Sequence, residues 1–183
     1  QGATGYGDNI AVIGNGSNTA IHPHDDDEVD LGSSSYEYKD LYLDGTAYTD
    51  GVSVDGSVFK KTTVTTKNTA GVVTYTAAEL IGGFMIRDPV GSNRIDVPPT
   101  AAQIVAAIPN AFVGVSFEFM IINTGASAYT LTGGSGVTIP NAYNSNAVAS
   151  IGDNSNGKYL AVVTNVTGSS EAVTIYPTKT NQN

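Results

Sequence analysis

Histidines and acidic residues that could bind a metal ion lie close together near the amino terminus. His22 and His24 are separated by one proline, and the acidic run Asp25–Glu28 follows directly. Imidazole nitrogens and carboxylate oxygens are common ligands of zinc and calcium, so His22, His24, Asp25 and Asp26 are candidate ligands of a structural cation. Ligands adjacent in sequence seldom converge on one ion, unless a loop aims them or several chains each contribute. A solvated acidic segment is therefore the competing interpretation.

Catalytic chemistry has little support elsewhere in the sequence. Cysteine is absent and both histidines lie in the polar amino-terminal segment, where a rigid Ser-His-Asp arrangement is not expected. Glu118 lies in an apolar stretch without an obvious second carboxylate for glycoside hydrolysis. Gly133–Gly136 lacks the Lys-Ser/Thr ending of a phosphate-binding loop, and Asp153–Gly157 lacks the glutamate that closes a calcium loop, so both are interpreted as turns. We predict a protein that is not an enzyme and has no cofactor beyond the candidate cation.

Charge is distributed unevenly along the chain. Residues 1–56 contain eleven acidic side chains and one basic one, whereas residues 57–183 contain six acidic and seven basic ones, for a net charge of -9. Because an acidic segment repels phosphates, we expect no nucleic-acid partner. No apolar run approaches the roughly 20 residues that a membrane-spanning helix needs, so no membrane partner is expected either. We predict an extended acidic arm over residues 1–56 and a compact domain over residues 57–183.

Short β-prone pieces alternate with turns in and around the arm. Asp44-Gly45, Asp50-Gly51 and Asp55-Gly56 are strong turn signals because glycine accepts positive φ angles without steric penalty. Strands this short need neighbours, which either the protein's own domain or other chains of an intertwined trimer can supply. The apolar and tyrosine side chains of the arm are therefore candidate contacts with other chains: Ile10, Val12, Ile13, Leu31, Tyr36, Tyr38, Leu41, Tyr42 and Leu43.

The sequence of the compact domain predicts a mainly β fold with one or two short helices. Thr76 and Thr100 are candidate caps of helices at 77–80 and 101–108. Alternation and turn signals predict strands within 58–75 (two, around a turn at 67–71), 84–86, 113–122, 129–132, 137–139, 158–164 and 171–176. Two hairpins are expected, one over 129–139 and one over 158–176. This pattern favours an antiparallel sandwich or jelly-roll-like domain, preceded by the hairpin-rich arm, over a parallel α/β sheet.

Two stretches carry a resemblance to known proteins. Residues Val29–Thr46 resemble a segment of phage fibre and virion structural proteins with the pattern LGSSSxxxKDLYLxGT. The segments 84–89, 100–110, 114–119 and 131–138 are similar to modules of β-rich surface proteins from viruses of aquatic microbes. The resemblance implies a capsid decoration (cement) or fibre protein, usually trimeric, on the virion surface. One copy of the KDLYL-type piece, without a repeat array, favours a compact knob with an arm over a whole fibre.

These observations lead to a prediction of function and to an alternative. We predict a homotrimeric decoration protein that contacts the major capsid protein or another virion protein and stabilises the shell by burying apolar surface between subunits. The alternative is a fibre tip that recognises host surface glycans through its exposed loops. An enzyme that acts on polysaccharide is the third and least favoured interpretation.

Overall fold

The computed structural model describes residues 56–140 and 150–181, together with scattered positions between 31 and 54; side chains are described up to Thr178. The chain divides into two compact units, Gln1–Tyr48 and Thr49–Asn183. The regular strands and helices described below all belong to the second unit. The domain boundary expected after residue 56 stays a prediction.

The described residues form nine strands and two short helices. The strands are β1 (Thr63–Asn68), β2 (Gly83–Asp88), β3 (Arg94–Asp96), β4 (Ser116–Asn123), β5 (Tyr129–Leu131), β6 (Val137–Thr138), β7 (Ser150–Ile151), β8 (Asn156–Asn165) and β9 (Ala172–Asn181). The helices are α1 (Ala77–Gly82) and α2 (Ala101–Ala107). The prediction of a mainly β fold with short helices is confirmed.

The strands make two sheets of mixed orientation. The large sheet has the order β1-β2-β4-β8-β9-β6, and the small sheet has the order β3-β5-β7. The pairs β1–β2, β2–β4, β3–β5 and β6–β9 are parallel, whereas β4–β8, β8–β9 and β5–β7 are antiparallel. The sheets are therefore of mixed orientation, which corrects the expectation of an antiparallel domain. Helix α1 lies in the connection between β1 and β2, and α2 lies in the connection between β2 and β4, so each of these two connections returns the chain in the same direction before the next strand.

Both helices begin at the threonines that the sequence indicates. The Thr76 hydroxyl accepts a hydrogen bond from the Glu79 amide at 3.2 Å, and the Glu79 carboxylate accepts one from the Thr76 amide at 2.9 Å. Thr100 and Gln103 make the same reciprocal pair at 3.2 and 2.9 Å. These capping boxes satisfy backbone donors that have no partner within the helix. Both predicted helix starts are confirmed.

The core lies on one face of the large sheet. Crossovers between parallel strands are right-handed, and β1, β2 and β4 follow one another in a single direction, so α1 and α2 cover the same face. Every second residue of β2, β4 and β8 points to this face, and most of these residues are buried there. Phe119 stacks on Tyr159 with ring centroids 4.9 Å apart. Leu80 and Ile104 bring the helices into the same core. The opposite face carries the partly exposed side chains of β2, β4 and β8.

One predicted hairpin is confirmed and one is wrong. The hairpin over 158–176 is the antiparallel pair β8–β9. The segment 129–139 makes no hairpin, because β5 joins the small sheet whereas β6 pairs in parallel with β9 in the large one. Gly136 redirects the chain between the sheets with φ +71°, and a Cβ there would lie 2.6 Å from the Glu171 carbonyl oxygen.

The strand pair expected within 58–75 also differs from the structure. Its first half is β1, but Thr74 forms a parallel bridge with Val97 instead of pairing back onto β1. The buried contacts described below hold residues 69–75 against β3.

Candidate interaction surface and the interior that supports it

Large apolar side chains follow one another along residues 31–59 and are exposed. Their exposed fractions range from 56% for Leu43 to 94% for Phe59. We call this set the exposed apolar line; it comprises Leu31, Tyr36, Tyr38, Leu41, Tyr42, Leu43, Val52, Val54, Val58 and Phe59. Single exposed apolar residues are ordinary, but many of them within one stretch of sequence make that stretch a candidate contact segment.

The predicted contact and metal residues divide into two groups. Leu31, Tyr36, Tyr38, Leu41, Tyr42 and Leu43 belong to the exposed apolar line. The other predicted residues lie outside the described part of the chain: Ile10, Val12, Ile13, His22, His24, Asp25 and Asp26. Their proposed roles stay predictions.

A buried ion pair joins β2 to β3. The Arg87 and Asp96 side chains have no exposed surface, and their Nε–Oδ2 distance is 2.6 Å. Arg87 Nη2 also donates to Asp96 Oδ1 at 3.1 Å, which makes the pair bidentate. The planar fork of the guanidinium matches the two carboxylate oxygens, and this geometry offsets part of the cost of removing both charges from water.

The remaining hydrogen bonds of Arg87 hold the connection between β1 and α1. Its Nη1 donates to the carbonyl oxygens of Lys67, Thr69 and Asp88, and its Nη2 donates to that of Gly71 at 2.9 Å. Irregular backbone in an interior leaves carbonyl groups without ladder partners, and one side chain here supplies the missing donors.

Asp96 completes the network from the other side. Its Oδ1 accepts from the Val73 amide at 2.9 Å, and its Oδ2 accepts from the Tyr75 hydroxyl at 3.4 Å. The backbone of Val73 and Tyr75 is hydrogen-bonded to Val97 as well. The network therefore fixes residues 69–75 along the edge of β3 and leaves Arg87 and Asp96 fully bonded in the interior.

Three buried tyrosines lie next to this network. Burial, and next the negative charge of Asp96, raise the pKa of Tyr75 far above its ordinary value. Burial also raises the pKa values of Tyr129 and Tyr159. The Tyr129 and Tyr159 hydroxyls interact with each other electrostatically, but neither has a hydrogen bond of normal geometry within the described residues. All three phenols are therefore neutral at physiological pH, and we assign them to packing.

Two surface hollows within the described part of the chain could admit a small ligand. One, of about 260 Å3, includes Lys60, Thr62, Phe84 and Met120 together with the Glu118–Lys158 ion pair, whose charged atoms are 2.9 Å apart. Glu118 thus has a lysine as its partner in the described structure. The second hollow, of about 410 Å3, is lined by three serines, one threonine and Glu171 as its single carboxylate. Neither lining set brings two carboxylates together in the way that glycoside hydrolysis needs.

The described residues contain no group of three or more His, Asp or Glu side chains that could hold a metal ion. No helix among them is long and apolar enough to cross a bilayer. The predicted turn at 153–157 is shorter in the structure: residues 153 and 154 form a turn in which Asn154 has φ +48°, and Asn156 and Gly157 already belong to β8.

Comparisons with known proteins identify no relative of this chain. The chain matches no protein-family model, no curated protein and no solved structure.

The buried ion pair was not predicted from the sequence, although a signal for it exists. Met85 and Arg87 are two positions apart in the short β2 strand, so an arginine shares the core-facing side with a methionine. A charged residue in that position requires a buried partner.

Proposed function

We propose that the protein is a non-enzymatic virion structural protein that works as a homo-oligomer, expected to be a trimer, and decorates a capsid. The observation that carries this proposal is the exposed apolar line, ten large apolar side chains within residues 31–59 that are at least 56% exposed. Burial of such surface releases about 25 cal/mol per Å2, so covering the line with other chains stabilises an assembly.

The proposed architecture follows from the same feature. Residues 1–56 form an arm that contacts neighbouring subunits or the major capsid protein at the virion surface, and the rest forms a sandwich-like domain. The Asp-Gly turns that the sequence predicts at residues 44–56 would divide the arm into pieces too short to fold alone, which agrees with pairing between chains. The role is mechanical and needs no catalytic residues.

A specific observation also favours a second function, recognition of a host surface glycan. The hollow of about 410 Å3 is rich in hydroxyl groups, from Thr100, Ser135, Ser169 and Ser170, and it includes the Glu171 carboxylate. Hydroxyl and carboxylate groups can hydrogen-bond sugars. A receptor-binding protein would show saturable binding to glycans, whereas a decoration protein would show none.

Measurements of the molecular mass in solution and of binding to particles together test the main proposal. We would measure the mass of the full chain by light scattering over a hundredfold concentration range, then co-sediment it with particles stripped of surface proteins. A stable oligomer that rebinds the particles is the expected result. A chain that stays monomeric and does not sediment would contradict the proposal, and a glycan array would then test the second function.

A variant that replaces three adjacent residues of the exposed apolar line, and leaves the rest of the chain unchanged, tests whether the line carries the association. Leu41→Ser, Tyr42→Ser and Leu43→Ser in one variant should weaken both self-association and particle binding. If this variant associates as strongly as the wild-type chain, the line is not the surface that carries the function.

A further inference from the structure

The large sheet has a second apolar face, opposite the core. The strand register places six half-buried apolar side chains of β2, β4 and β8 on it: Phe84, Ile86, Met120, Ile122, Leu160 and Val162. Val64 of β1 and Tyr176 of β9, 59% and 43% exposed, extend it to both sides. We call these eight side chains the open face. A sheet face that only meets water ordinarily carries polar side chains, so an apolar face across five strands is unusual.

The elements that form the core lie on the other side of the sheet. Leu80 and Ile104 of the two helices and Leu131 of the small sheet belong to the core cluster, together with the buried side chains of β4 and β8. Among the described residues, the six half-buried side chains of the open face neither belong to this cluster nor pack against it. The open face is therefore an apolar surface of the domain itself, independent of residues 31–59, and a candidate contact surface.

The charges at the centre of the open face are balanced. Glu118 and Lys158 form an ion pair at 2.9 Å, with side chains 57% and 41% exposed. Glu118 is in register with Leu160, and Lys158 is in register with Met120, so the ion pair lies between apolar side chains. Although the whole chain carries a net charge of -9, two copies of this part of the sheet can meet without net repulsion.

The arrangement lets the open face match itself. Its apolar side chains form one group on β2 and β4 and another on β8 and β9, diagonally across the sheet, and the ion pair lies on the other diagonal. A two-fold axis parallel to the sheet, along the line of the two apolar groups, places each group over the same group of a second copy. The same axis places each Glu118 carboxylate over the Lys158 ammonium of the other copy.

The size of the open face is sufficient for a specific contact. Five strands at a spacing of about 4.8 Å, with seven paired positions along β4 and β8 at about 3.4 Å each, outline roughly 450 Å2. With the relief of the side chains, two such faces bury about 1,000 Å2 in total, which is the area that a specific protein interface needs.

We propose that the open face packs against the open face of a second copy of this chain, so that two compact domains form a two-fold pair with a shared apolar layer. A second copy is the occupant because the face matches itself in charge and in apolar position and is large enough for a specific contact. The inference goes beyond the proposed function, since it needs neither the exposed apolar line nor a capsid. A two-fold contact between domains and a three-fold contact through the arm can coexist in one symmetric assembly.

The first test removes apolar character from the open face of the full-length chain. The double variant Ile86→Thr/Ile122→Thr keeps the β-branched shape that suits strands. Its matched control is Val72→Thr/Ile95→Thr, at positions 62% and 59% exposed that lie outside the large sheet. Sedimentation equilibrium gives the midpoint concentration of self-association, and circular dichroism verifies each fold. The open-face variant should raise the midpoint at least about tenfold, because each substitution occurs twice in a two-fold contact, and the control less than about twofold.

The second test exchanges charges between copies. Glu118→Lys or Lys158→Glu alone places like charges together across the contact, so each variant should self-associate at least about tenfold more weakly than the wild-type chain. A mixture of the two variants restores opposite charges across the contact, and they should bind each other at least about tenfold more tightly than either binds itself. Fluorescence anisotropy of labelled Glu118→Lys measures this preference. An ion pair that matters only within one chain gives no such preference.

The outcomes separate this inference from the proposed function. A wild-type chain that is monomeric at all concentrations overturns the inference and contradicts the proposed homo-oligomer as well. A wild-type oligomer that Ile86→Thr/Ile122→Thr leaves unchanged or that the control weakens equally, or charge variants that show no preference for each other, overturns the inference alone. If Ile86→Thr/Ile122→Thr destabilises the dilute chain as much as Leu80→Ala in the core, another part of the same chain covers the open face, and the inference is again overturned.

Discussion

The interior around Arg87 and the segment 31–59 depart from ordinary burial in opposite ways. Around Arg87 two charged side chains are completely buried, and hydrogen bonds within the domain satisfy them. Along residues 31–59 apolar side chains are exposed in the single chain. The charges of the interior are therefore satisfied within one molecule, whereas the proposed function requires another molecule to cover the segment.

The difference separates the residues that determine the fold from those that we expect to determine function. A buried charge without its partner is destabilising whether or not the protein binds anything. An exposed apolar side chain contributes little to folding, and its effect emerges on association. Substitutions in the two regions should consequently affect different measurements.

The largest expected effect is on the buried ion pair. Arg87→Met leaves the Asp96 carboxylate buried without its counter-ion and should lower the free energy of unfolding by about 3–5 kcal/mol. Urea denaturation followed by circular dichroism measures it. The control is Lys158→Gln in the exposed pair with Glu118, where the side chains are 41% and 57% exposed and the loss should stay below about 1 kcal/mol. Equal losses of unfolding free energy in Arg87→Met and Lys158→Gln would contradict the expected difference between the buried and the exposed ion pair.

A helix cap should give an intermediate effect. Thr100→Ala removes the hydroxyl that accepts from the Gln103 amide, and the free energy of unfolding should fall by about 1 kcal/mol. Thr100→Ser keeps the accepting oxygen and should restore most of the loss. If serine is as destabilising as alanine, the threonine acts through packing and not through its hydrogen bond.

The pair between Glu79 and Lys67 should make stability depend on pH in the acid range. Burial by itself raises the pKa of Glu79, but the hydrogen bonds from Lys67 and from the Thr76 amide outweigh it, so the pKa lies below its ordinary value. Its contribution is therefore fully present above the unfolded-state pKa of about 4.3 and is lost as the pH falls through the lower folded-state pKa. Thermal unfolding from pH 7 to pH 2.5 should show the advantage of the wild-type chain over Glu79→Gln disappearing in that window. Lys67→Met should reduce the same pH dependence, and an unchanged profile would contradict the assignment.

The smallest effect on folding should come from the exposed apolar line. Tyr42→Ser and Phe59→Ser, at positions 88% and 94% exposed, should change the free energy of unfolding of the dilute chain by less than about 0.5 kcal/mol. The same variants should weaken self-association at higher concentration. Leu80→Ala, at a fully buried position, should show the reverse pattern, with a loss of about 2–5 kcal/mol in folding. A large folding defect in Tyr42→Ser would show that the line packs within its own chain.

Local signals in the sequence determined the elements whose interactions are close along the chain. Thr76 and Thr100 indicated both helix starts, because capping boxes use residues three positions apart. The alternation within β8 and β9 and the turn between them indicated their hairpin, since both strands belong to one antiparallel pair. The six apolar arm residues with described exposure were also recognisable from the sequence, because such side chains are unusual in a polar segment rich in turns.

Only the tertiary structure decided which sheet each strand joins and which charges are buried. The sequence cannot distinguish a hairpin between β5 and β6 from the observed arrangement, because the residues that pair with them in β3, β7 and β9 are 20 or more positions away along the chain. The pairing of Arg87 with Asp96 likewise joins two strands across an intervening turn. The strength of the attraction between the two charges depends on exclusion of water by the whole core. Short-range hydrogen bonds and turn preferences are encoded locally, whereas sheet order and the dielectric environment of a charge depend on every element that packs around them.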